Sequence, residues 1–353
     1  MLDRAELLTS ARKRQRPTPT EERAALLRRM LCCTRRTYSR QESYAACTEL
    51  LTRSGDWNLI MSPSVSAEVR AGLAALYAVA RLSDDIVDEL RDQAEREAAL
   101  MQWSDAVHRA LHEKPDHPVL TAFLDTAERC AIPYVHLDSM VAAAQSESDL
   151  KRLTTFEHLQ QVLAGWCWPL GRCLLSIFGE RNPALLRYAD DLFVGLRLLT
   201  LLFKLREDYT LRKRIYLPQS ELWHFGVREQ ELDAAAASPS LRELIRALCG
   251  RAQSLLDRGR PLLRLVGQEL RGELLVTLDA TEQAAACLRR REFDTLAVPS
   301  GWGHAELPGL VGRAFSWAQT WTLRPVSPPP VAPQKKGSRQ EAARAFLGVL
   351  GDL

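Results

Sequence analysis

The stretch VRAGLAALYAVARLSDDIVDEL, residues 69–90, decides the fold of this chain. Residues 73–80 are apolar on every side of a helix, and such a helix is stable only when other elements surround it. The same helix then carries Asp84, Asp85 and Asp88. Because helical side chains three and four residues apart are neighbours, the three carboxylates are expected on one face, where they repel one another. The sequence therefore predicts a buried helix that ends in an acidic cluster.

This acidic cluster needs a cation to offset its repulsion. Magnesium is usually held by one or two carboxylates together with substrate phosphates. Arg70, Tyr77 and Arg81 precede the cluster on the same helix, and arginine is well shaped to bind a diphosphate. We therefore interpret the three aspartates as catalytic magnesium ligands and the three upstream residues as diphosphate-binding. The alternative is a solvated helix end, because short motifs of this kind also arise by chance.

Composition points to helices throughout. Leu, Ala, Arg and Glu dominate the 353 residues, apolar residues make up 46% of them, and few runs alternate with period two. The periodic segments are separated by short breaks that contain Pro or Gly. The sequence therefore predicts an all-α fold.

Several other classes of protein are disfavoured. The net charge is only +3, and no basic and aromatic pattern indicates nucleic-acid binding. The eight cysteines include no CxxC pair, which is typical of reduced thiols in a cytoplasmic protein. The longest apolar region, residues 192–203, is too short for a membrane span and contains Arg197. Peripheral contact with a membrane remains compatible with an apolar substrate.

Three regions are predicted along the chain. Residues 1–40 form a charged helical extension, with a helix start near Thr20. Residues 41–321 form the catalytic domain. Residues 322–353 form a Pro-rich linker and a short amphipathic helix.

Four segments, in order, resemble the squalene/phytoene synthase family, the head-to-head branch of trans-prenyltransferases. The segment ALYAVARLSDDIVDE (75–89) is similar to the family's first motif, R-x-x-D-D-x-x-D. The other three segments are AIPYVHLDSMVAAAQSESDLKRLTTFEHL (131–159), GWCWPLGRCLLSIFG (165–179) and RKRIYLP (212–218).

This resemblance implies an isoprenoid-synthase fold, a helical bundle around a central apolar cavity with prenyl diphosphate and Mg²⁺ at its mouth. Asp84 and Asp88 fall on the first motif's metal-binding positions, with Asp85 beside them. Arg214 and Tyr216 fall on the "RIY" element near the diphosphate.

The family's second acidic motif is degraded in this chain. The corresponding stretch reads RLLTLLFKLREDYTLRKRIYLP (197–218), and counting from either flank puts Leu205 or Arg206 where the family has its first aspartate. Glu207 and Asp208 remain as candidate metal ligands. Cationic residues of the same stretch are predicted to supply charge to the leaving diphosphate in place of a lost metal. They are Lys204, Arg206, Arg212, Lys213 and Arg214.

Loss of the second motif favours a reaction that handles one prenyl diphosphate. A divergent branch of phytoene-synthase-like enzymes, which prenylate carbazoles, resembles this case. The sequence thus predicts transfer of a prenyl group to an aromatic acceptor in secondary metabolism. Trp57, Trp166, Trp168 and Phe178 are candidates to line the cavity, although each taken singly is also explained by core packing.

Two alternatives stay open at this point. One is head-to-head condensation of two prenyl diphosphates, as in squalene or phytoene synthesis. It gains support if Glu207 or Asp208 faces Asp84 across the cavity at a distance that a metal ion can bridge. The other is a non-catalytic relative that binds a prenyl lipid, which the intact first motif argues against.

Overall fold

The computed structural model describes residues 19–31, 36–53, 65–90, 92–150 and 152–297, and every regular element in these ranges is helical. The longer helices are α1 (Pro19–Leu31), α2 (Arg40–Arg53), α3 (Ala67–Glu89), α4 (Gln93–His112), α5 (Pro118–Cys130), α6 (Val135–Asp149), α7 (Phe156–Ile177), α8 (Leu186–Leu202), α9 (Gln219–Phe225), α10 (Pro239–Gly259) and α11 (Gln268–Arg290). Single helical turns occur at Pro183–Leu185, Leu205–Glu207, Asp208–Arg212, Glu229–Asp233 and Leu262–Leu265. The all-α prediction is confirmed.

Helix α3 is the central element of the bundle. It begins at the N-cap Ser66, whose Oγ accepts a hydrogen bond from the Val69 amide at 3.2 Å. Its residues from Gly72 to Val87 are buried, and α1, α2, α4, α5, α6 and α7 pack around it. The apolar run predicted this burial, because no face of the helix suits water. The acidic end of α3 is therefore held inside the protein.

Helices α7, α8 and α10 build the other half of the core. Helix α8 packs extensively against α10, and Gly259 at the end of α10 makes this approach close. A Cβ atom at Gly259 would lie 2.6 Å from Leu192 Cβ and 2.8 Å from Leu192 Cα. Because backbone atoms of α8 fill that space, only glycine fits there.

The predicted N-terminal helix is present, but it belongs to the bundle. It starts at Pro19, close to the predicted Thr20, and Leu27 and Leu31 are buried in the common core. The carbonyl oxygen of Met30 lies 2.9 Å from His117 Nε2 at the start of α5. Residues 1–18 and 298–353, which include the predicted Pro-rich linker and C-terminal helix, lie outside the described residues.

The apolar stretch 192–203 lies almost wholly within α8. None of the helices described combines the length and apolarity that crossing a bilayer requires. Arg197, the charged residue in this stretch, is itself buried.

Six cysteines lie in the described part of the chain, and all six are free thiols. Burial raises the pKa of Cys47 and of Cys167 to about 12. These thiols are therefore protonated at neutral pH and pack as small apolar side chains.

Candidate active site

Asp84 and Asp88 lie one turn apart at the end of α3, as the sequence predicts. Asp84 is only 4% exposed, and its Oδ2 atom has no hydrogen-bond partner. Burial raises the pKa of Asp84 well above its usual value, and repulsion from Asp88 adds to this shift. The Oδ2 atom of Asp84 is therefore available to a ligand that enters the site.

Asp85 has a different environment from its two neighbours. It forms a buried ion pair with Arg81, which lies one turn earlier on α3 and is fully buried. The sequence analysis assigned Arg81 to the diphosphate and Asp85 to the metal. The structure pairs these two residues with each other inside the core, and the roles assigned to them stay predictions.

The segment after α8, residues 204–216, lies opposite the end of α3, and we call it the facing segment. It begins with one helical turn, Leu205–Glu207, and continues as a π-helical turn, Asp208–Arg212. Lys213 then adopts a left-handed conformation with a φ of 57°. A π-helical turn is wider than an α-helical one, and such turns are frequent at functional sites. Side-chain directions here therefore do not follow from a regular helix continued from α8.

Two arginines of the facing segment hold Asp88. Arg212 Nε lies 3.2 Å from Asp88 Oδ2, and Arg214 Nη1 lies 2.6 Å from Asp88 Oδ1. Arg214 also donates a hydrogen bond of 2.8 Å to the carbonyl oxygen of Val87. Burial opposes ionisation of Asp88, but the charges of Arg212 and Arg214 outweigh it and lower the pKa of that carboxyl. Asp88 is therefore ionised and firmly oriented.

Arg212 also binds the acids of its own segment. Its Nη1 atom lies 2.6 Å from Asp208 Oδ1 and 3.2 Å from Glu207 Oε1. Burial raises the pKa of Asp208, whose Oδ2 atom has no hydrogen-bond partner. The guanidinium of Arg212 thus lies between Asp88 and the two remaining acids of the second motif, Glu207 and Asp208.

Lys204 is the first cation of the facing segment. Its side chain is only 8% exposed, and its Nζ atom lies 4.0 Å from Glu207 Oε1. Burial lowers the pKa of Lys204 to about 8. The lysine therefore sits inside the site, as the sequence analysis expected of the cationic residues.

Leu205 and Arg206 do not contribute charge to this cluster. Leu205 is buried in the core. Arg206 is directed away, where its guanidinium donates hydrogen bonds to the carbonyl oxygens of Leu296 at 3.5 Å and Asp233 at 3.3 Å. The structure thus does not bring Arg206 to the position that we predicted for diphosphate binding, because the turn at Leu205–Glu207 points it outward.

Glu147 of α6 is a residue of the site that the sequence analysis missed. It accepts a hydrogen bond from Trp166 Nε1 at 2.7 Å and another from the Tyr216 hydroxyl. Arg214 Nη1 lies 3.9 Å from its Oε1 atom. Burial, followed by the charge of Glu147, raises the pKa of Tyr216 well above its usual value. Tyr216, predicted to bind diphosphate, is thus anchored by a carboxylate.

Arg70 and Tyr77 lie farther from the acidic cluster. Arg70 is fourteen residues before Asp84 on α3, which places its backbone about 21 Å away along the helix axis. Its Nη2 atom donates a hydrogen bond to the Val65 carbonyl oxygen at 3.0 Å. Tyr77 is buried about 10 Å before Asp84 along the same axis. The structure does not bring the Arg70 guanidinium to the acids.

The candidate aromatic residues are dispersed. Trp166 is buried next to Glu147, whereas Trp168 is 44% exposed and stacks with Arg172. Phe178, at the end of α7, packs against the core, and Trp57 lies outside the described residues. Of these side chains, Trp166 is the one whose described contacts join it to the charged cluster.

The part of the chain that contains α3 and the facing segment also matches known proteins. A family model described as squalene/phytoene synthase matches residues 52–309. The chain belongs to the squalene/phytoene synthase family. Its predicted enzyme class, a squalene/phytoene synthase-like prenyltransferase, is thereby confirmed.

Individual members of the squalene/phytoene synthase family agree with this assignment. A phytoene synthase of Mycobacterium tuberculosis is 32% identical over 226 residues, which cover 62% of this chain and 72% of that protein. A hydroxysqualene synthase of Sinorhizobium fredii is 26% identical over 225 residues, covering 63% of this chain and 76% of that protein.

Solved structures of family members share the fold. A squalene synthase of Alicyclobacillus acidocaldarius superimposes with a TM-score of 0.66 at 27% identity, covering 72% of this chain and 95% of that one. A dehydrosqualene synthase superimposes with a TM-score of 0.67 at 20% identity, covering 79% of this chain and 97% of that one. The predicted isoprenoid-synthase fold is confirmed.

The acids of this family member fit a divalent cation only in part. Among the residues that the structure describes, no three acidic, histidine or cysteine side chains are arranged to hold a metal ion. Asp84 nevertheless has a buried oxygen without a hydrogen-bond partner. Magnesium needs few protein carboxylates when phosphates complete its shell. Asp84, with Asp88 beside it, therefore fits Mg²⁺ that is shared with a diphosphate.

Proposed function

We propose that this chain condenses two prenyl diphosphates head to head, with release of diphosphate. The observation that carries this proposal is the two-sided acidic site, in which Asp88 of α3 and Asp208 of the facing segment contact the same guanidinium, that of Arg212. The sequence analysis asked for more, namely Glu207 or Asp208 facing Asp84 at metal-bridging distance, whereas here the guanidinium of Arg212 lies between Asp208 and Asp88. The phytoene synthase and hydroxysqualene synthase to which the chain is similar carry names of that same reaction class.

The aromatic acceptor favoured by the sequence analysis loses support. That interpretation rested on the loss of the second acidic motif. Glu207 and Asp208 still contact Arg212, which also contacts Asp88 at the end of α3, so the facing segment keeps its two acids near the first motif. The relatives found give no support to a carbazole-like acceptor. The head-to-head alternative therefore becomes the main proposal.

The proposed chemistry assigns a role to each charged residue. Asp84 and Asp88 would hold Mg²⁺ together with the substrate's phosphates, and the metal would neutralise charge on the departing diphosphate. Arg214 and Arg212 fix Asp88, and Lys204 adds positive charge at the same place. The buried walls around them exclude water, which protects an allylic cation from hydrolysis.

The experiment that tests this function is a product assay. The full chain is incubated with Mg²⁺ and with dimethylallyl, geranyl, farnesyl or geranylgeranyl diphosphate, each with and without aromatic acceptors. We expect a product that contains two prenyl chains to form from one of these diphosphates alone. A prenylated aromatic compound, formed only when an acceptor is added, would restore the other interpretation. Absence of turnover with every substrate would favour a non-catalytic lipid-binding protein.

The matched variants of this assay are Asp84→Asn and Asp191→Asn. Asp84 carries the proposed metal contact, whereas Asp191 pairs with Arg258 on the outer side of α8. We expect Asp84→Asn to slow diphosphate release by about 100-fold or more, the effect of removing one preorganised charge in an active site. Asp191→Asn should behave as the wild type. Unchanged release by Asp84→Asn would remove the metal role from this residue.

A further inference from the structure

Two histidines at the end of α4 take no part in the active site described above. His108 and His112 lie four residues apart, in the segment HRALH (108–112). Both residues are exposed, and their ring centres lie 4.5 Å apart with the ring planes tilted by 45°. The two imidazoles therefore stand side by side on the outer face of the helix, where a solute can reach them.

A histidine with a structural role has different surroundings in this protein. His117 is fully buried, and the structure uses both of its ring nitrogens. Its Nε2 atom lies 2.9 Å from the Met30 carbonyl oxygen, and its Nδ1 atom accepts a hydrogen bond from the Val119 amide at 3.2 Å. The exposed rings of His108 and His112 contact each other instead. Packing and helix capping therefore explain His117 but not this pair.

The separation of the two rings fits chelation of one metal ion. An imidazole nitrogen binds a transition metal at about 2.0–2.1 Å, so the metal lies about 3.2 Å from the ring centre. Two rings that bind one ion at an angle of about 90–110° then have their centres about 4.5–5.2 Å apart. The observed 4.5 Å lies at the lower end of this range. Rotation of the rings, with no change in the backbone, is therefore enough to direct both at one ion.

The surroundings of the pair favour a cation. Helix α4 is regular up to its end, where the Glu113 amide donates a hydrogen bond of 2.7 Å to the Arg109 carbonyl oxygen, and Val107 and Ala110 bury its inner side. Arg109, whose charge would oppose a cation, is paired with Asp116 at 3.3 Å. The carbonyl end of a helix also attracts positive charge. The backbone thus fixes the spacing of the histidines, and the helix end adds to the attraction.

We propose that His108 and His112 form a surface site for a late first-row transition-metal ion, such as Ni²⁺, Cu²⁺ or Zn²⁺. Imidazole suits these ions, whereas Mg²⁺ prefers oxygen ligands, so the site differs in chemistry from the one at Asp84. Within the described ranges, no third acidic, histidine or cysteine side chain joins the pair, so water supplies the remaining ligands. The proposal is independent of the proposed function, because it needs neither a diphosphate nor turnover.

The test titrates Ni²⁺ into the full chain by calorimetry, with excess Mg²⁺ present to occupy sites made of oxygen ligands. We expect one Ni²⁺ to bind per chain. His108→Asn and His112→Asn should each weaken this binding by about tenfold or more, because even the loss of an outer-shell partner costs a metal site about 10–100-fold in affinity. The control is His224→Asn, since His224 is exposed on α9 and has no histidine four residues before or after it. This control should bind Ni²⁺ as the wild type does.

A second control keeps two histidines but moves one of them. It is the double variant His112→Gln with Glu113→His, which places an imidazole five residues from His108 and so on another side of the helix. We expect it to bind Ni²⁺ as weakly as the single variants. All of these positions are exposed, and circular dichroism confirms that each variant is folded.

Two results would overturn the metal site. One is wild-type protein that binds no Ni²⁺ at concentrations up to about 1 mM, which would show that the pair has no useful affinity. The other is equally tight binding by the wild type and by the double variant with the displaced histidine. In that case the ion would be held by other side chains, such as thiols, and not by His108 and His112 acting together.

Discussion

Replacement of Arg212 by methionine should make the acids that this arginine now contacts, on α3 and on the facing segment, available to magnesium. The change removes the guanidinium that contacts Asp88, Asp208 and Glu207 and keeps a shorter, unbranched apolar side chain. Asp88 retains Arg214 at 2.6 Å, but Asp208 loses the ion pair of 2.6 Å to its Oδ1 atom. The variant is thus left with a buried carboxylate that has lost its cation, next to two other acids.

The magnitude follows from that loss. Breaking a buried ion pair by removing one partner costs about 3–5 kcal/mol of the free energy of unfolding. Protonation of Asp208 limits the cost, because burial already raises the pKa of that group. At about 2–4 °C per kcal/mol, we expect the melting temperature in EDTA to fall by about 10 °C. Mg²⁺ at ten times its dissociation constant should restore about 1.4 kcal/mol, since the freed carboxylates can now bind it.

Thermal unfolding of wild type and Arg212→Met, with EDTA or with a Mg²⁺ series, checks both statements. The control is Arg258→Met, which breaks an exposed pair to Asp191 and should cost at most about 1 kcal/mol with no magnesium response. Equal losses in the two variants would refute the reasoning. So would a magnesium response in the ligand-free wild type as large as in Arg212→Met, because the acids would then be available without removal of the guanidinium.

Two further predictions concern the scaffold. Burial lowers the pKa of His117 to about 4 from its usual 6.5. As the pH falls, the unfolded chain therefore takes up the proton before the folded protein does. The free energy of unfolding should fall by about 3 kcal/mol between pH 6.5 and pH 4. Urea unfolding at several pH values tests this prediction. His117→Asn should reduce the slope of the unfolding free energy against pH by the equivalent of one proton. An unchanged slope in that variant would contradict the prediction. Gly171→Ala should destabilise the protein by about 1–3 kcal/mol, because the new Cβ would lie 2.3 Å from Phe193 Cδ2. Its matched control is Gly165→Ala on the same helix, where the nearest atom is 3.6 Å away, and equal unfolding midpoints would refute the packing argument.

The sequence predicts α3 and its acids well because a single physical rule governs them. A helix that is apolar all round must be buried, and the positions of Asp84 and Asp88 then follow from the helical repeat alone. The sequence predicts the partners of Asp88 only in part. The order of the matched segments predicts that Arg214 lies near the diphosphate, but the ion pair to Asp88 spans 126 residues and needs the folded bundle.

The facing segment shows where periodicity stops being informative. The sequence analysis predicted five cations here, and the structure directs Lys204 and Arg212 toward the acids but turns Arg206 away. The cause is local, because the chain passes through a one-turn helix, then the π-helical turn Asp208–Arg212 and a left-handed Lys213. A π-helical turn has no sequence repeat of its own, so no pattern in the letters predicts the side-chain directions.

Glu147 illustrates an intermediate case. The buried residues of α6 recur at intervals of three and four, at Leu137, Met140, Val141, Ala144 and Glu147. That spacing puts an acid on the apolar face, which is a signal that the sequence does contain. Its partners lie 19 and 69 residues away, so its role becomes visible only in the folded chain.

The charges of the site together indicate when a metal ion would enter it. Among the described residues, the carboxylates of the cluster are Asp84, Asp85, Asp88, Glu147, Glu207 and Asp208, and the cations are Arg81, Arg197, Lys204, Arg212 and Arg214. The two sets are nearly balanced, so the ligand-free protein gains little from an added divalent cation. A diphosphate adds several negative charges that the protein's own cations cannot fully offset. The need for Mg²⁺ therefore arises with the substrate, and metal and diphosphate should bind as a pair at Asp84 while Arg212 keeps the facing acids neutralised.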